Sequence, residues 1–154
     1  MIATLKRTRS VSKTRSETPT IEQVLAQTKL EVPRQPLVEQ VEVSGETYYV
    51  KGIRKIFEAN AMPISDRGCT LEALQCILVP TPWNEHDPNA IAVAVGEHQV
   101  GHLPAELAVE YAVGLGRLAA SGWLATGEAR IWAKNSGGMV RARVTLLIPE
   151  AHRF

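Results

Sequence analysis

The sequence predicts a mainly β protein of the α+β class, a small antiparallel β-barrel carrying one longer helix and short flanking helices. Three observations point there. Five or six short runs of alternating or continuous apolar residues follow one another with turn residues between them, a pattern of hairpins rather than of βαβ crossovers. Two junctions, Gly96-Glu97 and the stretch from Asn135 to Gly138, have the composition of tight hairpin turns. A chain of 154 residues, 45% of them hydrophobic, is long enough to bury one core, and it shows no internal repeat.

From the N-terminus, residues 1–17 are Ser, Thr, Lys and Arg with almost nothing to bury, which reads as a basic disordered arm. Lys6, Arg7, Arg9, Lys13 and Arg15 face only Glu17 there, a surplus of four positive charges; against a formal total of +1, the rest of the chain is three negative. Such an arm either neutralises phosphates or acts as a solubilising tail. Residues 18–36 hold a short helix and a proline linker. Thr20 has Gln23 three residues on, the spacing of a capping box, and Ile21, Val24, Leu25 and Thr28 share one face, so a helix is expected over Ile21 to Leu30. Pro33 and Pro36 stop it.

The barrel is expected over 37–150, with a tail at 151–154. Val41 and Val43 alternate with Glu42 and Ser44 as a half-buried strand ended by Gly45, and Ile53, Ile56 and Phe57 predict a short helix after Tyr48 and Tyr49. Strands follow near Leu74 to Val79, Ala90 to Val95 and Gln99 to Leu103. Between Pro104 and Gly122 the longest helical period puts Leu107, Ala108, Tyr111, Leu115 and Leu118 on one face. Gly114 and Gly116 lie inside that helix, so they read as packing glycines and not as a nucleotide loop. Two long alternating strands around Asn-Ser-Gly-Gly close the chain, with Arg130, Lys134, Arg141 and Arg143 on their outer face.

Cys69 and Cys76 lie seven apart, outside CxxC spacing, and read as reduced thiols of a cytoplasmic protein. The N-terminal segment lacks the apolar stretch of a secretion signal, and no run approaches eighteen apolar residues. Neither secretion nor a membrane span is expected.

Between Val79 and Ile91 the chain spends far more residues than a hairpin needs. Pro82 and Pro88 fix φ at two points, and Asn84, Asp87 and Asn89 can each bond the backbone two residues on, so the loop is rigid. Its side chains either hold the turn or present Asn84, His86 and Asp87 at the barrel mouth.

The run from Val43 to Leu118 resembles the HIRAN domain family, in its stand-alone bacterial or phage type. The motifs are G-x-x-Y-Y at Gly45 to Tyr49, L-V-P-x-P-x-N-x-x-D-P-N-A-I-A-V at Leu78 to Val93, and Q-V-G-H-L-P-x-E-L-A at Gln99 to Ala108. The resemblance covers roughly half the chain and none of the first thirty-five residues. It implies an OB-like barrel that binds the 3′-hydroxyl end of single-stranded DNA in the setting of DNA repair, without catalysis, cofactor or metal. On this resemblance Asp87 accepts a hydrogen bond from the terminal 3′-hydroxyl, Tyr48 and Tyr49 stack on the last bases, Asn84 fixes the loop or touches the terminal nucleotide, and His102 sits near a phosphate. Thr47 stands where characterised members carry an arginine, and His86 where they carry a tyrosine. The first change removes a phosphate contact and the second weakens stacking, although a histidine ring can still stack. The body's net charge of about −3 argues against a long phosphate track and leaves room for a pocket for one or two terminal nucleotides.

Two other functional classes stay open. A protein-interaction module would use residues 1–35 to dock a partner, the fold alone not specifying a ligand. A metal-dependent hydrolase would need His86, Asp87, His98 and His102 to converge, and no HExxH or nucleophile motif accompanies them.

Overall fold

A computed structural model of the chain describes residues 18–31 and 35–154. The arm with Lys6, Arg7, Arg9, Lys13 and Arg15, and Pro33 of the linker, lie outside the described residues. Elements are α1 (Ile21–Gln27), β1 (Lys29–Glu31), β2 (Glu39–Glu42), a 3-10 turn (Glu46–Tyr49), α2 (Val50–Ala59), β3 (Cys69–Pro80), β4 (Ile91–Val95), β5 (His98–His102), α3 (Ala105–Ala120), β6 (Trp123–Ser136) and β7 (Met139–Ile148).

Neighbouring strands pair antiparallel in the order β2-β7-β6-β3-β4-β5; β3-β4, β4-β5 and β6-β7 are hairpins of consecutive strands, and β2-β7 and β6-β3 are long-range pairings. Just past β2, Ser44 reaches across to β5. Its N–H donates to the His102 carbonyl at 2.8 Å and its carbonyl accepts from the His102 N–H at 2.9 Å, so one bridge joins the two ends of the sheet. Gly101 permits this approach: its φ is +152°, and a Cβ there would stand 2.6 Å from the Ser44 oxygen. The fold is a small α+β, OB-like barrel.

Inside it, Val41, Leu78, Ile91, Val93, Ile131 and Leu146 form the core. α2 contributes Ile53, Ile56 and Phe57 to that core, and α3 contributes Ala108, Tyr111 and Leu115, on the faces their spacing marks. The Tyr111 hydroxyl donates to the Pro149 carbonyl at 2.6 Å, which satisfies its one polar atom in the core. Gly114 does serve packing, since a Cβ would stand 2.6 Å from that of Phe154, whereas Gly116 has nothing near it. Cys69 and Cys76 are free thiols; burial pushes the Cys76 thiol up to about 12, so it stays protonated.

Two sequence expectations need correction. The first helix ends at Gln27 and not at Leu30, because Thr28 leaves helical geometry and Lys29 to Glu31 pair parallel with Trp123 to Ala125 as a seventh strand. The Lys29 N–H donates to the Gly122 carbonyl at 2.9 Å, and Thr126 Oγ1 donates to the Glu31 carbonyl at 2.6 Å. Those bonds, together with the strand pairing, outweigh a weak helical preference at the end of a short helix. The strand expected from Leu74 starts at Cys69, since a bulge between Leu71 and Leu74, with Ala73 at φ +53°, interrupts the alternation. All five residues of β4 are buried, as its continuous apolar run requires, so both faces of the strand are covered. One face meets the barrel core. The other, with Ile77, Val79, Ala92, Ala94 and Leu124, forms a second apolar patch against Ile21, Val24 and Leu25 of α1.

Candidate functional site

The 3-10 turn after Gly45 carries Thr47, Tyr48 and Tyr49 in succession, and three residues per turn separate neighbouring side chains by about a third of a revolution. The two tyrosines therefore diverge. Tyr48 is 87% exposed, while Tyr49 is half-buried with its hydroxyl pKa raised by burial, so it remains a hydrogen-bond donor.

Gln99 and His102 are three apart on β5, a spacing that puts side chains on opposite faces of a regular strand. A register shift between Val93 and Ala94 of the partner strand removes the conflict by inserting Val100 as an extra residue. Both side chains then meet Tyr49. Gln99 Nε2 lies 3.1 Å from Tyr49 Oη, 3.3 Å from the Gly101 carbonyl and 3.3 Å from His102 Nε2. The carbonyl settles the amide orientation, because the opposite one would set two acceptor oxygens together. Tyr49 and His102 rings meet edge-on with centroids 6.0 Å apart. Burial lowers the His102 pKa and so favours the neutral imidazole, whose Nε2 accepts from Gln99 in the tautomer protonated on Nδ1.

The long turn after β3 is held by its own polar groups. Asn84 Oδ1 accepts the N–H groups of His86 at 2.9 Å and Asp87 at 3.1 Å, and Asp87 Oδ1 accepts the Asn89 N–H at 2.9 Å. Both structural and binding roles remain available to these residues, since the Asn84 amide nitrogen and the second Asp87 oxygen have no protein partner among the described residues.

Together these elements line a groove of two adjoining lobes with α1 opposite. One lobe, about 310 Å³, runs past Tyr48, Tyr49, Lys51, Glu97, His98 and Gln99. Its neighbour, about 330 Å³, is bounded by Tyr49, Trp83, Asn84, Gln99 and His102. Each is at the small end of ligand pockets. Of the residues expected from the sequence, Tyr48, Tyr49, Asn84 and His102 line the groove. Asp87 is part-buried in the adjoining turn, and His86 and Thr47 are outside the groove; none of these three lines either lobe. His98 lies in one lobe and His102 in the other, and no three His, Cys, Asp or Glu side chains come together among the described residues.

Two lining residues were not assigned from sequence: Trp83, legible as a large side chain fixed between Pro82 and Asn84, and Gln99, whose role depends on the bulge. Trp123 and Trp132 are elsewhere. Trp123 packs under Lys29, whose Nζ is 5.5 Å from its ring centroid, and Trp132 covers Gly68.

No protein-family model and no curated protein matches the chain. Among solved structures it is similar to a protein from Lactobacillus plantarum, with 16% identity and a TM-score of 0.38 over 71% of this chain and 91% of that one. It is also similar to the HIRAN domain of human HLTF, with 20% identity and a TM-score of 0.36 over 77% of this chain and 83% of that one.

Proposed function

We propose that the groove binds the 3′-hydroxyl end of single-stranded DNA, as a binding module without chemistry of its own. The observation that carries this reading is the exposed Tyr48 ring at the mouth of a groove walled by Tyr49, Trp83 and His102. Stacked bases need open aromatic faces of this kind. Charge favours an end over a continuing strand: the lobe beside Trp83 has no charged lining, and the other sets Lys51 against Glu22 and Glu97. Bases and hydroxyls suit such walls better than a file of phosphates does. In the rigid turn beside them, Asp87 keeps one carboxylate oxygen for a terminal hydroxyl, and its charge repels a phosphate there. On this reading the protein acts in the cytoplasm, in DNA repair.

Fluorescence anisotropy on matched oligonucleotides ending in 3′-hydroxyl or 3′-phosphate tests the reading. Tighter binding of the hydroxyl end is expected. Equal affinity for both ends and for an internal single-stranded segment would return the turn to a purely structural role.

A further inference from the structure

We infer that the outer face of the β6–β7 hairpin is a short phosphate-binding surface, and that it takes the backbone of a nucleic-acid strand whose end lies in the groove. This rests on the reading of the groove as a single-strand site. The chain beyond residue 17 is three negative, yet its charge is not evenly spread. Register sets Lys134 opposite Arg141 and Trp132 opposite Arg143, and Arg130 follows on the same face of β6. Ile131, Ala133, Val140 and Val144 alternate with these residues into the core, so the cations stand on the outer side.

Ion pairing leaves the middle of this face uncompensated. Arg143 meets Glu42 at 3.9 Å in an exposed and therefore weak pair, with Glu46 close enough to feel both charges. Arg130 shares a cleft with Glu72 and Glu128. Lys134 and Arg141, by contrast, are in no ion pair among the described residues. Like charges directly opposite one another, with Cβ atoms about 5 Å apart, destabilise a strand pair, and an anion bound between them removes that cost. Trp132 is half-buried over Gly68 and offers no open ring, so the face reads charge and not bases.

α2 connects this face with the groove. Lys51 lines one lobe, and Arg54, three residues on, donates to the Gly138 carbonyl of the hairpin turn at 3.1 Å. The remaining donors of that guanidinium have no protein partner among the described residues. A strand leaving the groove past Lys51 therefore meets Arg54, then Lys134 and Arg141. A membrane surface fits less well, since Met139 is the one large, exposed apolar side chain on this face, and anchoring in a bilayer takes buried apolar area as well as charge.

The test measures, on the full chain and over a salt series, binding of a thymidine 12-mer and of a thymidine trinucleotide short enough to lie in the groove. Lys134→Gln/Arg141→Gln keeps both aliphatic stems and removes both charges. It should flatten the 12-mer's slope of log affinity against log salt by about 1.4, an about 7-fold smaller loss between 50 and 200 mM, and leave the trinucleotide unaffected. Its Tm should equal or exceed the parent's, because the opposed charges are gone. Exchanging the two cations, Lys134→Arg/Arg141→Lys, should keep the parent slope. So should Arg117→Gln/Arg153→Gln, which removes two cations from a cleft beside α3. An unchanged 12-mer slope in the first double variant, or an equal flattening in the last, overturns the inference and leaves the groove reading standing. Binding to phosphatidylserine vesicles that the first variant loses, with its 12-mer slope unchanged, would overturn it in favour of a membrane surface. If the parent binds neither oligonucleotide, or Tyr48→Ala leaves both affinities unchanged, the groove reading fails and this inference with it.

Discussion

Replacing Gly101 with alanine would place a methyl group where β5 meets the backbone beyond β2. A Cβ there stands 2.6 Å from the Ser44 carbonyl oxygen and closer still to the Val43 side chain, so one of the two backbones must retreat. That retreat would break the two hydrogen bonds of the Ser44–His102 bridge, now at 2.8 and 2.9 Å. Overpacking of this kind costs about 1–3 kcal/mol. Each broken backbone bond adds about 0.5–1.5 kcal/mol. Gly101→Ala should thus destabilise the fold by about 2–6 kcal/mol, and at roughly 2–4 °C per kcal/mol for a chain this size, Tm should fall by at least about 4 °C in calorimetry. Affinity of the folded fraction for single-stranded DNA should fall too, because the bulge at Val100 and Gly101 aims Gln99 and His102 into one groove. A Tm within about 1 °C of the parent, well inside the range expected from one kcal/mol, would refute closure through this bridge.

Tyr48→Ala should leave Tm almost unchanged, the ring being exposed, and weaken single-strand binding by about 1–3 kcal/mol in a titration by anisotropy. Asp87→Asn keeps an acceptor for the Asn89 N–H but removes the charge, so it should narrow the preference for 3′-hydroxyl over 3′-phosphate ends, with a modest loss of total affinity. A preference unchanged by Asp87→Asn would exclude this carboxylate as the discriminating group. His102 has its pKa lowered by burial, so in acid the unfolded chain takes up this proton before the folded one. Stability should therefore fall as pH drops below about 6.5, until the folded imidazole is itself protonated. In melts recorded from pH 8 to pH 4, His102→Gln should lack that component.

Much of this barrel is legible in the sequence because its signals are local. Thr20 and Gln23 mark the start of α1, Ile53, Ile56 and Phe57 mark the buried side of α2, and the glycines at 137 and 138 adopt the positive φ that a tight hairpin requires. The rigid turn after β3 is legible as a candidate site for the same reason, being a run whose chemistry exceeds what its connection needs, whereas the tyrosine pair becomes a candidate only through the family resemblance.

Other features depend on residues far apart in the chain, and no window of sequence contains them. The continuous apolar run of β4 implies a cover on both faces, but only the folded chain shows that the outer cover comes from α1, some seventy residues earlier, with Ala119 of α3. Lys29 to Glu31 continues a helical pattern and becomes a strand because β6 offers unpaired backbone groups beside it, and satisfying them outweighs local propensity. One extra residue at Val100 turns Gln99 and His102 to the same side, where Tyr49 arrives from a separate turn and Trp83 from a third segment. Residue types and local conformation follow from neighbours along the chain; the shared direction of side chains from separate segments follows from register and closure, which are properties of the whole sheet.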